Sequence, residues 1–476
     1  LAAIAAAALG QTANVAVDTT SPVRMVDEKV FGLNTAVWDG TYSDPQTVSD
    51  FQDMQVRFLR YPGGSSSDDF HWQTNTAAEE GGNAGATDFD TFAASALSIG
   101  AQVVITANYG TGTPQEAAAW VTYSNVTKGY GFKYWEVGNE CYGTWEDDLQ
   151  PLPHDPVTYA TRAVQYIQMM KAADPTIKIG VVADSSEDSY QNGYTHVVTN
   201  PVTGSTHSGW TPVMLSTMKT LGTLPDFLIY HSYAQNPGSE SDSTLLQESE
   251  LVWPAAATGL RNQLTDYLGP SGAAIQLLVT ENNSVSTNPG KQTTSLVNGL
   301  FMADSVANLM QTEFNSLVWW DMYNGQSTNY NNSSSLYGWR MYGDYGVESP
   351  QHDRYPTYYA MKLLSHFARG GDTVVKATSD NTLLSAFAAQ RQDGSLSLLA
   401  INKSPTATYS TNITVKGFAP KPNATVYSYG IPQDEYSEEN VASPPTSGLI
   451  SSWENSLDGW VNQSGQPDDA TTNYGQ

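Results

Sequence analysis

The sequence predicts an α/β fold, a (β/α)8 TIM barrel with a C-terminal β-sandwich domain. Three observations carry this expectation. Eight short apolar, β-branched runs alternate with stretches of helical spacing between residues 28 and 369. From residue 370 that alternation gives way to short strands separated by turns. The polar residues worth attention gather at the C-terminal ends of the eight runs, where TIM barrels place their sites.

The runs are Val30–Val37, Val56–Arg60, Gln102–Asn108, Lys133–Glu140, Ile177–Asp184, Phe227–Tyr233, Ile275–Asn282 and Ser316–Tyr323. Helical spacing appears between them, for example over Asp88–Leu97, Pro114–Tyr123, Pro156–Ala173 and Thr293–Leu309. Near-continuous apolar strands alternating with helices predict a parallel sheet covered on both faces. Eight such units over roughly 300 residues fit a closed barrel. An open doubly wound sheet would carry a glycine-rich phosphate turn after its first strand, and none is present.

Tyr358–Arg369 reads as the last barrel helix, stopped by Gly370-Gly371. Five alternating strands follow: Thr373–Ala377, Leu383–Gln390, Leu396–Asn402, Ser410–Val415 and Ala424–Tyr429, with turns such as Gln392-Asp393-Gly394. They predict a β-sandwich over 370–439, which the strand within residues 13–27 would join. Residues 440–448 read as a linker, and 449–476 as either the start of a carbohydrate-binding module or a tail. Residues 1–12 begin Leu1-Ala2-Ala3-Ile4 and look like the remnant of a signal peptide, so a secreted protein is expected.

Composition narrows the function classes. A net charge of −27 with only 14% charged residues repels nucleic acid and anionic membrane, so neither partner is expected. After the leader, no run approaches the ~18 apolar residues of a membrane span. The 27 tyrosines and 12 tryptophans offer faces for sugar rings, although aromatic residues also fill ordinary cores. The single cysteine, Cys141, forms no intramolecular disulfide.

The strand ends assemble a candidate site. The second run ends in Arg60, followed by Tyr61-Pro62-Gly63-Gly64. The fourth ends in Gly138-Asn139-Glu140 and the sixth in His231-Ser232-Tyr233. The seventh ends in Thr280-Glu281-Asn282-Asn283, and the eighth carries Trp319-Trp320-Asp321. Two carboxylates on strands four and seven face each other across the barrel mouth. Retaining glycosidic hydrolysis needs such a pair, one to protonate the leaving oxygen and one to attack the anomeric carbon. Glu140 is the candidate acid/base, with a raised pKa, and Glu281 the candidate nucleophile, kept ionised by Arg60. Asn139 would donate to a sugar hydroxyl, and Trp319 or Trp320 would floor the subsite. Asn34 on strand one, Asn108 on strand three and Trp38 and Trp145 on loops near strand ends are further candidate substrate-binding residues, and Trp38, Trp72, Tyr142 and Trp145 would line an extended cleft.

Other readings of these residues are weighed alongside. Glu136 shares the strand parity of Glu140 but lies about 13 Å deeper along the strand, which points to a hydrogen bond inside the barrel. His231 would catalyse, bind metal or hydrogen-bond near Glu281; no second His or Cys sits at ligand spacing, which favours the hydrogen bond and no metal. Asp68, Asp69 and His71 offer oxygen and nitrogen ligands for a cation, though a structural reading is preferred. Cys141 reads as a packing residue.

At these residues the chain resembles clan A glycoside hydrolases. Phe132–Glu140 is similar to the clan's acid/base strand, in which Asn precedes the catalytic Glu, and Leu278–Glu281 is similar to its nucleophile strand. Phe58–Gly64, Asn108–Ala118, Trp120–Asn125 and Phe31-Gly32 resemble family 51 α-L-arabinofuranosidases and their relatives. The resemblance implies Arg60, Asn139, Glu140, Tyr233 and Glu281 as site residues. It also implies a hydrolase of plant cell-wall polysaccharide that needs no cofactor, with α-L-arabinofuranosidase as the first expectation. An endo-β-1,4-glucanase or xylanase of the same clan is the alternative, and a non-catalytic glycan-binding protein is the rival from another class. Three departures bear on the sugar: Ala36 replaces a Glu that holds the arabinofuranose, Ser65 replaces an Asn, and Asn282-Asn283 stand where a Trp follows the nucleophile.

Overall fold

The structure is a computed structural model that describes residues 11–77, 85–338, 340–420, 423–434 and 473–475. Of the leader expected over residues 1–12, residues 1–10 lie outside the described residues, as do the linker and nearly all of the terminal segment, while Gln11 and Thr12 belong to a strand. The strand expected to begin at residue 13 begins at Gln11.

Eight parallel strands close into a barrel in chain order: Gly32–Asn34, Phe58–Tyr61, Gln102–Ala107, Tyr134–Val137, Lys178–Val182, Phe227–Gln235, Gln276–Val285 and Leu317–Trp319. Each falls on one of the eight apolar runs. Several are shorter than the run because the chain leaves the ladder to form site loops. Three of the outer helices start where the sequence provides both a side-chain cap and a proline in the first turn. Asp44, Thr113 and Asp155 each accept a backbone N–H of the following helix, and Pro45, Pro114 and Pro156 sit just inside. Such caps satisfy amides that the helix itself leaves without partners. Helices Phe89–Ser98, Trp210–Leu221, Asp242–Leu268 and Leu296–Leu309 fill the remaining crossovers. Among the described residues, no helix is long and apolar enough to cross a membrane.

Strands and helices meet through aromatic side chains. Trp120, Trp135, Trp210, Trp253 and Trp319 are all fully buried. At least five of the 12 tryptophans are therefore core, so aromatic abundance is in good part a packing signal here. Trp120 and Trp135 meet edge-on at 5.7 Å, and truncating either to Ala would cost roughly 3–5 kcal/mol.

The second domain is a β-sandwich domain. Its five-stranded sheet runs in the order Leu396–Asn402, Leu384–Gln390, Thr373–Ser379, Gln11–Met25, Tyr409–Lys416. Val374, Phe387, Ala389, Leu399 and Ile401 join the barrel core. Val375, Leu384, Ala386 and Ala388 alternate with them and cluster with Ala13, Val15 and Val17 on the other face. That period of two is what the sequence displayed. The expected strand Ala424–Tyr429 is corrected. Only Asn423–Thr425 is extended into pairing, with Asn473–Gly475 and apart from the five-stranded sheet. Tyr427 stacks on His366 at 4.0 Å and Tyr429 on Tyr359 at 4.9 Å, so their alternation serves contacts with the last barrel helix.

Candidate active site

Arg60 is the centre of the site. Its side chain is fully buried at the end of strand two, and its planar fork reaches four partners. Nε donates to Glu136 at 2.7 Å, Nη1 to Glu281 at 2.7 Å and to Asn34 at 3.1 Å, and Nη2 to Asn139 at 2.8 Å. A buried guanidinium is tolerable only when charge and donors are both answered, and Glu136 and Glu281 supply the charge. Burial alone would lower the Arg60 pKa; the two carboxylates outweigh it and the net shift is upward. Glu136 is thus the internal counter-ion that its depth implied, also accepting from Thr106 at 2.8 Å.

Glu281 reaches this position through a bulge. In the pairing with strand six, Val279 faces Tyr230 and Glu281 faces His231, which leaves Thr280 as an extra residue. A bulge re-aims the side chain after it. Glu281 then accepts from Tyr233 Oη at 2.5 Å as well as from Arg60. Thr280 is used too, since its hydroxyl contacts His231 Nε2 at 3.1 Å.

Glu140 is not on a strand at all. Strand four ends at Val137. Gly138 and Glu140 both have positive φ, +74° and +39°, and the second is an uncommon backbone state for a residue with a side chain. A Cβ on Gly138 would stand 2.3 Å from Cys141 Sγ, so this turn requires glycine. Glu140 accepts from Trp145 Nε1 at 2.9 Å and Tyr142 Oη at 3.3 Å, and pairs with His231 Nδ1 at 2.8 Å. One donor atom each from Glu140, His231 and Glu281 lie within 4.8 Å of one another. All three residues are already engaged by protein groups, Glu281 by Arg60 and Tyr233. Asp50, Glu348 and His352 form a similar trio elsewhere, with Arg354 already on Asp50 at 2.6 Å.

The protonation pattern corrects one expectation. Burial favours the neutral form of Glu140, but the hydrogen bond and charge of His231, with Trp145 and Tyr142 as donors, outweigh it and hold the carboxyl below its ordinary range. Burial likewise opposes charge on His231, yet Glu281 and Glu140 together raise its pKa. Of the two groups, the imidazole is the one whose protonated form the site favours. Two further carboxyls lie close behind. Burial pushes Asp68 up to about 8 and Glu146 up to about 9.

The remaining predicted residues fall into two groups. Trp320 and Trp38 meet at 6.1 Å between ring centroids, and they cluster with Tyr233, Val285 and Tyr345 beside Glu281. Trp145 is 56% exposed at the mouth. Trp319 is corrected: it is fully buried and packs on Phe301 of the helix Leu296–Leu309, outside the barrel lumen. Trp320, and not Trp319, belongs to the aromatic cluster with Trp38 and Tyr233. Asn108 is corrected as well. Its carboxamide is spent within its own loop, donating to Phe70 O and Thr111 Oγ1 and accepting from the amides of Thr111 and Gly112. Asn34 is fully buried and orients Arg60 while donating to Thr280 O, so it also stands behind the site. Asp68 accepts the backbone amides of Tyr109 and Asn139 and is thereby structural. Cys141 lies 3.9 Å from Asp68. Sequence reading did not pick out Glu146 or Tyr345, and it gave Thr280 no role; tertiary contacts reveal them.

Comparison with known proteins agrees with this geometry. No family model matches the chain. Over 211 residues it is 24% identical to a probable α-L-arabinofuranosidase C of Aspergillus clavatus, covering 36% of this chain and 41% of that protein. The match therefore spans about two fifths of that relative. The barrel and sandwich together superpose on a GH51 α-L-arabinofuranosidase from Thermotoga petrophila with a TM-score of 0.66 at 20% identity, over 87% of this chain and 90% of the other. The fold is that of the α-L-arabinofuranosidases. A bifunctional glucanase-xylanase from a metagenome library aligns with a TM-score of 0.62 at 17% identity, over 88% and 92% of the two chains. The arabinofuranosidase fold thus covers both domains, while sequence likeness is low.

Proposed function

We propose that the chain is a retaining glycoside hydrolase acting on plant cell-wall polysaccharide by double displacement, with Glu140 as acid/base and Glu281 as nucleophile. The observation that carries this is the meeting of Glu140 and Glu281 around His231, with donor atoms within 4.8 Å. Retaining enzymes hold their carboxyl groups roughly 5–5.5 Å apart, leaving no room for a water between nucleophile and sugar. Arg60 and the Tyr233 hydroxyl both donate to Glu281; they fix the carboxylate in place and aim it.

The His231–Glu140 pair shares one proton. Transfer along the 2.8 Å contact puts it on Glu140, which delivers it to the leaving oxygen as Glu281 attacks. Once Glu281 is esterified its charge is gone. That charge is among the causes that raise the His231 pKa, so the imidazole then holds a proton less strongly. Glu140 is left as a carboxylate to take a proton from water in the second step. Trp320 and Trp38 floor the sugar, and the amide of Asn139 meets the hydroxyl beside the reacting carbon. No cofactor enters this scheme.

Within this class, release of α-L-arabinofuranose is the first reading, supported by the name of the curated relative. A second reading, endo-acting glucanase or xylanase, is favoured by two features. Ala36, which replaces the furanose-holding Glu of the resembled family, is fully buried, and Trp145 lies exposed at the mouth where a chain would pass. We further propose export, on the apolar character of residues 1–10 alone.

The test compares wild type with Glu140→Gln on 4-nitrophenyl α-L-arabinofuranoside, β-xyloside and β-cellobioside, and on arabinoxylan and carboxymethyl-cellulose. Arabinose release that vanishes in the variant supports the first reading. A ladder of oligosaccharides without arabinose supports the second. Binding without turnover across the panel leaves a glycan-binding protein and removes the enzyme.

A further inference from the structure

Behind Glu140 lies a carboxyl that the scheme above does not use. Glu146 Oε1 accepts from Asn139 Nδ2 at 3.0 Å and from Ser65 Oγ at 2.9 Å. Its Oε2 is buried and has no partner among the described residues. Asn139 is held at its other end by Arg60 Nη2 on Oδ1. Because guanidinium only donates, that contact fixes which end of the carboxamide is oxygen. One Nδ2–H then belongs to Glu146, and the second is left for a ligand.

We propose that Glu146 is a positioning residue: with Arg60 it clamps the Asn139 carboxamide so that the remaining amide N–H meets the sugar hydroxyl beside the reacting carbon, and it acts as a hydrogen-bond acceptor rather than as a charge. This rests on the two-carboxylate reading above. The titratable groups around Glu146 are Asp68, Cys141, Glu140 and Glu281, and no cation is paired with it among the described residues. An ionised carboxylate there would leave a buried oxygen unanswered beside other acids, which is costly. Burial keeps the group protonated, up to about 9. A carbonyl-type Oε1 taking two donors is then all the clamp needs, and a glutamine can reproduce it. Ser65 belongs to the same unit. It is one of the positions where the chain departs from the family it resembles, and its hydroxyl is the second donor to Glu146.

The test measures kcat and KM for wild type, Glu146→Ala and Glu146→Gln on the best aryl glycoside and on its analogue lacking the neighbouring hydroxyl. Bonds to that hydroxyl strengthen in the transition state, and misplacing such a group costs up to about 100-fold. Glu146→Ala should therefore lower kcat by about 10- to 100-fold, with KM within about threefold. On the deoxy analogue it should match wild type, and Glu146→Gln should track wild type on both. An equal loss on both substrates, a Gln variant as impaired as the Ala variant, or an Ala variant with full kcat overturns the proposal. A second readout needs no turnover. Side-chain amide protons of Asn139, assigned by their loss in Asn139→Asp, should be protected from exchange in wild type and Glu146→Gln and unprotected in Glu146→Ala. Protection in all three overturns the clamp. A wild type that hydrolyses nothing sinks the hydrolase reading and leaves the exchange result to decide the clamp.

Discussion

His231 Nδ1 lies 2.8 Å from Glu140 Oε1, and the two side chains move each other's protonation in opposite directions. The imidazole is pulled up in pKa and the carboxyl down, although burial opposes charge on both. The pair is therefore a proton store, with the acid in waiting on the histidine.

This pairing predicts a titration. In wild type, the His231 imidazole followed by nuclear magnetic resonance should lose its proton above the ordinary 6.5. In Glu140→Gln one of the two supporting carboxylates is gone, and the midpoint should fall. An unchanged midpoint would show that Glu281 alone sets it.

The same pair predicts how stability varies with pH. His231 has a raised folded value, so its share is complete below 6.5 and fades as pH rises through that raised value. Glu140 has a lowered folded value, so its share is complete above 4.5 and fades as pH falls through it. The melting-temperature gap between wild type and Glu140→Gln should be widest between pH 4.5 and 6.5 and narrow on both sides. A gap that widens monotonically with pH would assign the effect to another group.

Replacing the proposed nucleophile should separate it from the acid. Glu281→Ala should lose nearly all turnover, and added azide should restore part of it by attacking the vacated face. Glu140→Gln should lose about 10²–10⁴-fold on substrates with poor leaving groups and much less on activated aryl glycosides. Azide rescue at a different carboxylate would reassign the nucleophile.

Arg60 carries structure as well as the site. Arg60→Ala leaves Glu136 and Glu281 buried without their cation, and breaking such a pair costs about 3–5 kcal/mol. Urea unfolding should register that loss even without substrate. A variant as stable as wild type would mean that the carboxylates are met by something other than Arg60.

Gly64 backs the Trp320 ring, the proposed sugar floor. Its φ of +50° and ψ of −149° lie in a region that only glycine enters readily, and an added Cβ would stand 2.6 Å from Trp320 Cη2. Gly64→Ala should cost about 1–3 kcal/mol and lower kcat/KM by moving the ring. Wild-type kinetics in this variant would show that Trp320 does not touch the sugar.

Much of this was legible in the sequence because periodicity is local. Eight apolar runs are eight strands, since the hydrophobic requirement of a doubly covered strand is written in consecutive residues. Arg60, Glu140, Tyr233 and Glu281 were legible because strand ends define the barrel mouth. Alternation misled where residues served other contacts, as at Tyr427 and Tyr429, and parity did not distinguish Trp319 from Trp320. The chain by itself determined the architecture and which carboxylates face each other. Only the tertiary structure decided how His231 and Glu140 shift each other's protonation, which tryptophan joins Trp38 and Tyr233 and which is core, and that Glu146 backs Asn139. Those outcomes depend on residues far apart in sequence coming within hydrogen-bond distance, on a bulge at Thr280 and on positive φ at Gly138 and Glu140. No pattern of neighbouring residues encodes such distances, because they are set by how whole strands and loops close around a buried arginine.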